Sequence, residues 1–170
     1  MRLKVASMFA GIGGICLGFK QAGFDIVWAN DIDSDAIKTY KRNFESANVV
    51  EGDIRKIAAD TLPEFDILTA GFPCQSFSVR GKQLGFKDPR GNLFFEIGRI
   101  INAKRPRVVF LENVANHQAR RRKDFFSYIQ YSCGFRVLCQ IRRFGRLQTR
   151  QYSPKARTGF YSGVFRRNRL

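Results

Sequence analysis

Residues 3–31 read LKVASMFAGIGGICLGFKQAGFDIVWAND, which indicates a short apolar strand, a glycine turn, a helical stretch and a second strand. Glycine lets the backbone pass close to a ligand, and the N-terminus of the following helix favours negative groups. The simpler interpretation of the glycines alone is a tight turn with no ligand. The second strand ends in Asp31, about 20 residues after the glycines, where a carboxylate can accept hydrogen bonds from ribose hydroxyls. Alternatively this acid only starts the next helix, a role that Asp33 can equally fill.

The alternation of strands and helices continues along the chain, with Ser34 available as the N-cap of the second helix. Strands are predicted at residues 2–8, 26–30, 48–51, 65–71 and 107–112, and helices at residues 13–22, 34–44 and 92–103. Strands that alternate with helices indicate a mostly parallel sheet that is covered on both faces. We therefore predict a doubly wound, Rossmann-like α/β fold for residues 1–116.

Polar residues follow each of the first three predicted strands. The glycine turn follows the first, Asp31 the second and Asp53 the third. In open α/β sheets the carboxyl ends of parallel strands form the edge at which ligands bind. Three such positions in consecutive strands favour a nucleoside-containing cofactor over a turn without a ligand.

The next two strands end in a cysteine and a carboxylate. A lone cysteine such as Cys74 is usually an inert buried side chain, but polar neighbours here favour a thiol that faces a cleft. Nearby positive charge favours the nucleophilic thiolate. Glu112 follows an apolar strand, so burial can raise its pKa and suit it to general acid catalysis; the alternative is a carboxylate that faces water. Adjacent parallel strands would bring Cys74 and Glu112 to one edge.

Five motifs in order, FAGIGG (9–14), ND (30–31), GDI (52–54), GFPCQ (71–75) and ENV (112–114), resemble those of DNA cytosine-C5 methyltransferases of the bacterial restriction-modification type. The resemblance covers about residues 3–116 and includes RGNLFFEI at 90–97. It implies S-adenosyl-L-methionine as the cofactor, with the glycine turn at its methionine part, Asp31 at its ribose, and Asp53 with Ile54 at its adenine. The implied cofactor-binding residues are Phe9, Ala10, Gly11, Gly13, Gly14, Asp31, Ile32, Asp53, Ile54, Pro73 and Leu93.

The same resemblance implies a reaction on cytosine in duplex DNA. Cys74 would attack C6 of the base while Glu112 interacts with N3, and the base would have to leave the stack because C6 is inaccessible within a duplex. The implied DNA-contacting residues precede or lie in a loop at 76–91 and are Gln75, Ser76, Ser78 and Arg80. A cognate restriction endonuclease is an expected partner.

Charge divides the chain at residue 116. The net charge is +16, yet residues 1–116 hold 16 Lys and Arg against 13 Asp and Glu, whereas residues 117–170 hold 14 against one. Such an excess favours a polyanionic partner. The family resemblance implies two more strands, a QxRxR motif and a target-recognition region after residue 116, and we recognise none of them. We therefore expect a partial catalytic domain at 1–116, with a sheet incomplete at its C-terminal side, and a poorly ordered arginine-rich tail at 117–170.

Three alternatives would also explain features of this chain. A non-catalytic nucleic-acid-binding protein with a basic arm would explain the tail, an RNA cytosine methyltransferase would share the motifs, and a separate chain could supply the missing half. With four cysteines, no CxxC pair and one histidine, a zinc site is not expected. Without an apolar run near the roughly 20 residues that span a bilayer, and without a signal-peptide pattern, the expected location is cytoplasmic.

Without the two further strands, residues 108–111 would form an exposed apolar edge of a parallel sheet. The cofactor pocket would also lose one wall. We therefore expect the chain by itself to be poorly soluble and inactive.

We propose that the tail is translated from a shifted reading frame. Permissible codons for residues 150–165, read one base later, can give GNIPQRRERVFIVGF, and those for residues 117–125 can give IKHDDGKTF. Both strings resemble family segments. We predict that the coding DNA carries a second open frame that starts near codon 117 and continues into a long basic segment. Sequencing from about codon 105 past codon 170 tests this prediction; the absence of such a frame would make the tail a genuine basic arm.

Overall fold

A computed structural model of the protein describes residues 1–72, 92–114, 142–144 and 160–166, the last two as backbone strands. The element order is β1 (Lys4–Met8), α1 (Gly14–Gln21), β2 (Asp25–Asp31), α2 (Ser34–Asn43), β3 (Asn48–Glu51), two 3-10 turns (Ile54–Lys56 and Ala59–Thr61), β4 (Ile67–Gly71), α3 (Asn92–Lys104), β5 (Val108–Val114), β6 (Arg142–Phe144) and β7 (Phe160–Arg166). All five strands and all three helices predicted for residues 1–116 are present, with small shifts at their ends.

The strands form a single sheet in the order β3-β2-β1-β4-β5-β7-β6. Strands β1 to β5 pair with one another in parallel, which confirms the predicted doubly wound α/β fold. The chain runs outward from β1 to β3 and then returns to β4 on the other side of β1. This reversal opens a crevice at the carboxyl ends of β1 and β4, where such sheets bind ligands.

Both faces of the sheet are buried, as the near-continuous apolar runs of the central strands predict. Neighbouring residues on β1 and on β4 point to opposite faces, so Val5 and Ile67 pack in one cluster while Ala6 and Leu68 pack in the other. The first cluster lies under α1 and α2, and the second lies under α3 and the 3-10 turns. The carboxyl edge of the sheet is therefore held from both sides by packed helices.

Helix α2 begins differently from the prediction. Its N-cap is Asp33, whose Oδ1 accepts hydrogen bonds from the amides of Asp35 at 2.9 Å and Ala36 at 3.0 Å. Ser34, which we predicted as the cap, is the first helical residue. Asp33 is the N-cap because its backbone is extended and its carboxylate accepts hydrogen bonds from both amides. Capping of α2 is thus carried by Asp33 and leaves Asp31 for another role.

The connection from β3 to β4 contains no α-helix. It contains the two 3-10 turns instead, and the buried side chains of Ile54 and Leu62 anchor these turns to the core. Helix α3, which belongs to the next connection, packs over them. The segment that follows β3 therefore depends on α3 for its position.

Strand β5 is not an edge strand, so our expectation for residues 108–111 is wrong. It pairs with β4 on one side and antiparallel with β7 on the other, and β7 pairs antiparallel with β6. The sequence of β7, FYSGVFR, is rich in aromatic and β-branched residues that favour strands. The other residues of 117–170 lie outside the described part, and the poorly ordered tail stays a prediction. Within the described ranges no helix is long and apolar enough to span a membrane.

Candidate active site

The glycine turn after β1 adopts a left-handed backbone at several residues. Phe9, Gly11 and Gly13 have φ of 54°, 55° and 96°. Positive φ is uncommon for a residue such as Phe9 and clusters at functional sites. The Ala10 amide donates to the Asn30 carbonyl at 3.0 Å, which ties the turn to the end of β2. Gly14 then begins α1, with Gly13 as an N-cap that brings no side-chain acceptor.

Gly13 rests on two stacked aromatic rings. A Cβ at this position would lie 2.5 Å from Cε2 of Phe44 and 3.0 Å from Cδ2 of Tyr40. These rings stack at 4.4 Å between centroids and are buried in the core beneath α2. Glycine is therefore required here for space as well as for backbone conformation.

Asp31 connects the ends of three strands. Its Oδ2 accepts the Gly11 amide at 2.7 Å, its Oδ1 accepts the Asp33 amide at 3.0 Å, and its carbonyl accepts the Gly52 amide at 2.9 Å. Each carboxylate oxygen can accept a second hydrogen bond, so the group keeps capacity for a ligand hydroxyl. The next residue, Ile32, is 69% exposed, which leaves an apolar side chain that a ligand can cover.

Asn30 organises this edge, although the sequence analysis did not single it out as a site residue. It is 1% exposed, and its Nδ2 donates to the carbonyls of Val50 at 3.0 Å and Gly52 at 2.9 Å. Both contacts hold the end of β3 against β2. The sequence signal for this role was an asparagine that directly precedes Asp31 at the end of a buried strand.

Asp53 starts the first 3-10 turn and is paired with Arg55. Its Oδ1 accepts the Arg55 amide at 3.0 Å and the Arg55 Nε at 2.9 Å, and its Oδ2 forms an ion pair with Nη2. The hydrogen bonds from Arg55 lower the pKa of Asp53, so its carboxyl stays ionised. The Ile54 side chain is 2% exposed and lies in the core, so a cofactor contact from Ile54 has to come from its backbone.

Glu112 lies opposite Gly71, the last residue of β4, two residues before β5 ends. A Cβ on Gly71 would be 3.4 Å from Oε2 of Glu112 and 3.8 Å from the Phe9 carbonyl oxygen, so all three residues meet at the crevice. Oε1 of Glu112 is buried, and no described residue donates a hydrogen bond to it. Burial raises the pKa of Glu112, as predicted, and a protonated carboxyl there can donate to a ligand.

Several predicted site residues lie outside the described part of the chain, and their roles stay predictions. They are Pro73, Cys74, Gln75, Ser76, Ser78 and Arg80. Leu93, in the first turn of α3, is partly buried and packs against the same core cluster as Ile54. The described ranges hold no group of three His, Cys, Asp or Glu side chains that could bind a metal ion.

The contact of Gly13 with the aromatic pair gives a stability prediction. We expect Gly13→Ala to lower the free energy of unfolding by about 1–3 kcal/mol, because the new methyl group meets Phe44 and the backbone is left-handed. Gly18→Ala is the matched control, since a Cβ at this position in α1 meets nothing within 4 Å and gains up to about 1 kcal/mol of helix propensity. Urea unfolding measures both; equal midpoints for Gly13→Ala and the wild type would contradict the prediction.

The buried carboxyl of Glu112 gives a pH prediction. Because its pKa is higher in the folded than in the unfolded state, the folded protein binds the proton more tightly, and stability falls as pH rises through that window. Glutamine removes this cost, so the melting temperature of Glu112→Gln relative to the wild type should rise as the pH is raised above about 4. Glu45→Gln, at an exposed glutamate, controls for the loss of one carboxylate. A difference that shrinks toward high pH would refute the prediction.

Comparison with known proteins agrees with this geometry. The family model for C-5 cytosine-specific DNA methylase matches residues 3–151, which extends beyond the last sequence motif. The chain is 53% identical over 116 residues to the Type II methyltransferase M.Bsp6I of Bacillus sp. (strain RFL6), covering 67% of this chain and 36% of that protein. It is 48% identical over 114 residues to the Type II methyltransferase M.HhaI of Haemophilus parahaemolyticus, covering 67% and 34%.

Among solved structures, the S. pombe Dnmt2 methyltransferase is similar with a TM-score of 0.73 at 24% identity, over 99% of this chain and 52% of that one, a likeness that concerns the fold. The chain spans about a third of the length of the two curated relatives. The family match covers most of the chain, and the glycine turn and strand-end acids lie within it. The chain therefore belongs to the C-5 cytosine-specific DNA methylase family.

Proposed function

We propose that this chain carries the cofactor-binding and catalytic part of a cytoplasmic DNA (cytosine-5)-methyltransferase of a restriction-modification system. The proposed reaction transfers a methyl group from S-adenosyl-L-methionine to C5 of cytosine in duplex DNA. One observation carries the proposal: the crevice has Asp31 and the glycine turn on one side and, on the other, the buried Oε1 of Glu112, to which no described residue donates a hydrogen bond.

The described residues fit S-adenosyl-L-methionine. Asp31 keeps acceptor capacity for ribose hydroxyls, Ile32 offers an exposed apolar surface, and the ionised carboxylate of Asp53, which Arg55 holds in place, attracts an amino group such as that of adenine. The glycine turn brings backbone close to a ligand without a Cβ in the way. When bound, this cofactor supplies an electrophilic methyl group on a sulfonium.

The chain's own residues act on the base. In the proposed reaction the thiolate of Cys74 adds to C6 of a flipped cytosine, and Glu112 holds a proton at N3, which makes C5 nucleophilic. After C5 takes the methyl group, loss of its proton and expulsion of the Cys74 thiolate restore the aromatic ring. The raised pKa of Glu112 supports the role, because a neutral carboxyl can donate to N3.

A chimeric enzyme tests the proposal. We expect that residues 1–116, exchanged for the matching part of M.Bsp6I, give an enzyme that incorporates labelled methyl groups into duplex DNA. Cys74→Ser should abolish incorporation, whereas Cys16→Ser, at a cysteine buried in the core, should retain it. The unmodified 170-residue chain should incorporate no label, since we recognise no target-recognition region in its sequence.

The controls separate the alternatives. A folded chimera that binds S-adenosyl-L-homocysteine but transfers no methyl group would contradict the proposal. Retained DNA affinity without turnover would favour a non-catalytic nucleic-acid-binding protein. Transfer to RNA in preference to duplex DNA would favour an RNA methyltransferase. Robust incorporation by the unmodified chain would show that it needs no further segment or partner.

A further inference from the structure

The first 3-10 turn is held in place by a side chain from a distant helix. Nη2 of Arg99, on α3, donates to the carbonyls of Ile54 and Ile57, each at 2.9 Å. Nε of Arg99 donates to Oε2 of Glu96 at 2.7 Å, one helical turn earlier. The Arg99 side chain is 35% exposed and that of Glu96 is 19% exposed, so the contact is partly shielded from water.

These contacts complement the turn chemically. Carbonyls at the C-terminal end of a short helical turn carry partial negative charge, and a guanidinium can donate hydrogen bonds to them. The Ile54 carbonyl also accepts the Ile57 amide at 3.2 Å, so Arg99 reinforces the bond that closes the turn. Asp53 caps the opposite end of the same turn. Arg99 therefore fixes the C-terminal end of a turn whose N-terminal end faces the ligand edge.

The hydrogen bonds of Asn30 and Asp31 hold Gly52, just before this turn, and do not reach its C-terminal end. The strand that precedes it, β3, has only four residues and lies at the edge of the sheet, and the connection to β4 contains no α-helix. The buried Ile54 side chain packs in the same cluster as Ile97, Ile100 and Ile101 of α3. Apolar packing of this kind is non-directional, whereas the hydrogen bonds of Arg99 specify the orientation of the turn.

We propose that Arg99, oriented by Glu96, is a positioning residue for recognition of the cofactor's adenine. It acts through the turn, holding the Asp53 carboxylate and the Ile54 backbone in the geometry that binds the base, and it touches no ligand itself. The assignment rests on the proposed function, which supplies the adenine. It extends the site from the strand ends to a helix on the face of the sheet.

The test measures ligand binding by the full chain with calorimetry. The probes are S-adenosyl-L-homocysteine and S-inosyl-L-homocysteine, which carries an oxygen in place of the 6-amino group. We expect Arg99→Met to weaken binding of the adenosyl ligand about tenfold, a factor equivalent to about 1.4 kcal/mol. Binding of the inosyl ligand should weaken much less, because this ligand already lacks the amino donor for Asp53. Arg99→Lys, which keeps the charge but not two directed donors, should fall between Arg99→Met and the wild type.

A matched control is available on the same helix. Glu64→Gln breaks the ion pair between Glu64 and Lys104, which joins α3 to the same connection at 3.0 Å but away from the turn, and it should leave both affinities unchanged. Glu96→Gln, the same chemical change at the partner of Arg99, should weaken the adenosyl ligand selectively. Thermal unfolding in parallel reports any general loss of stability.

The outcomes distinguish the positioning role of Arg99 from the proposed cofactor site. Equal losses for the adenosyl and inosyl ligands, or a lower melting temperature with unchanged affinities, would overturn the positioning role and leave the proposed function standing. Absence of binding of either ligand by both the wild-type chain and the chimera that carries residues 1–116 would overturn the proposed cofactor site and the positioning role with it.

Discussion

The hydrogen bond from the Gly11 amide to the Asp31 carboxylate, at 2.7 Å, joins the two loops on which the ligand edge depends. It forms only because β1 and β2 are adjacent and parallel, so that their carboxyl ends meet. Asn30 extends the same connection to β3 through its side-chain amide. Three chain segments that are separate in sequence thereby become one rigid rim, and a rim of this kind can hold a polar ligand without reorganising.

Asp53 and Glu112, which follow or lie near the carboxyl ends of β3 and β5, are placed in opposite environments. Asp53 accepts hydrogen bonds from Arg55, which lower its pKa and keep it ionised. Oε1 of Glu112 is buried near the ends of β4 and β1 with no described donor, so the pKa of Glu112 rises. When two environments shift the pKa values of two carboxyls in opposite directions, one carboxyl commonly binds and the other donates a proton. The proposed reaction uses Asp53 as an acceptor and Glu112 as a donor.

The connection between β3 and β4 explains why a helix on the face of the sheet matters to the ligand edge. An ordinary crossover helix would position the start of the connection by its own packing. Here two 3-10 turns replace it, and α3 supplies both the apolar cover and the directed hydrogen bonds of Arg99. Strand β5, on the other side of β4, also depends on a distant segment, because it pairs with β7 at residues 160–166.

Local pattern predicted most of residues 1–116. Apolar runs, glycine turns and strand-end acids are encoded by neighbouring residues, and they were enough to predict five parallel strands, three helices and the placement of Asp31, Asp53 and Glu112 at one edge. The raised pKa of Glu112 was also predictable, because an acid directly after a strongly apolar strand tends to be buried.

The tertiary structure decided the features that depend on distant or competing partners. Asp33 rather than Ser34 caps α2, since both have suitable side chains and only the backbone geometry separates them. Arg99 and Ile54 are 45 positions apart, so no local pattern reveals their contact. The pairing of β5 with β7 bridges an even longer interval in a segment whose arginines obscure the strand pattern. What the sequence by itself determined is the set of elements and the residues at their ends; which of these ends are tied together was decided by long-range hydrogen bonds that exist only in the folded chain.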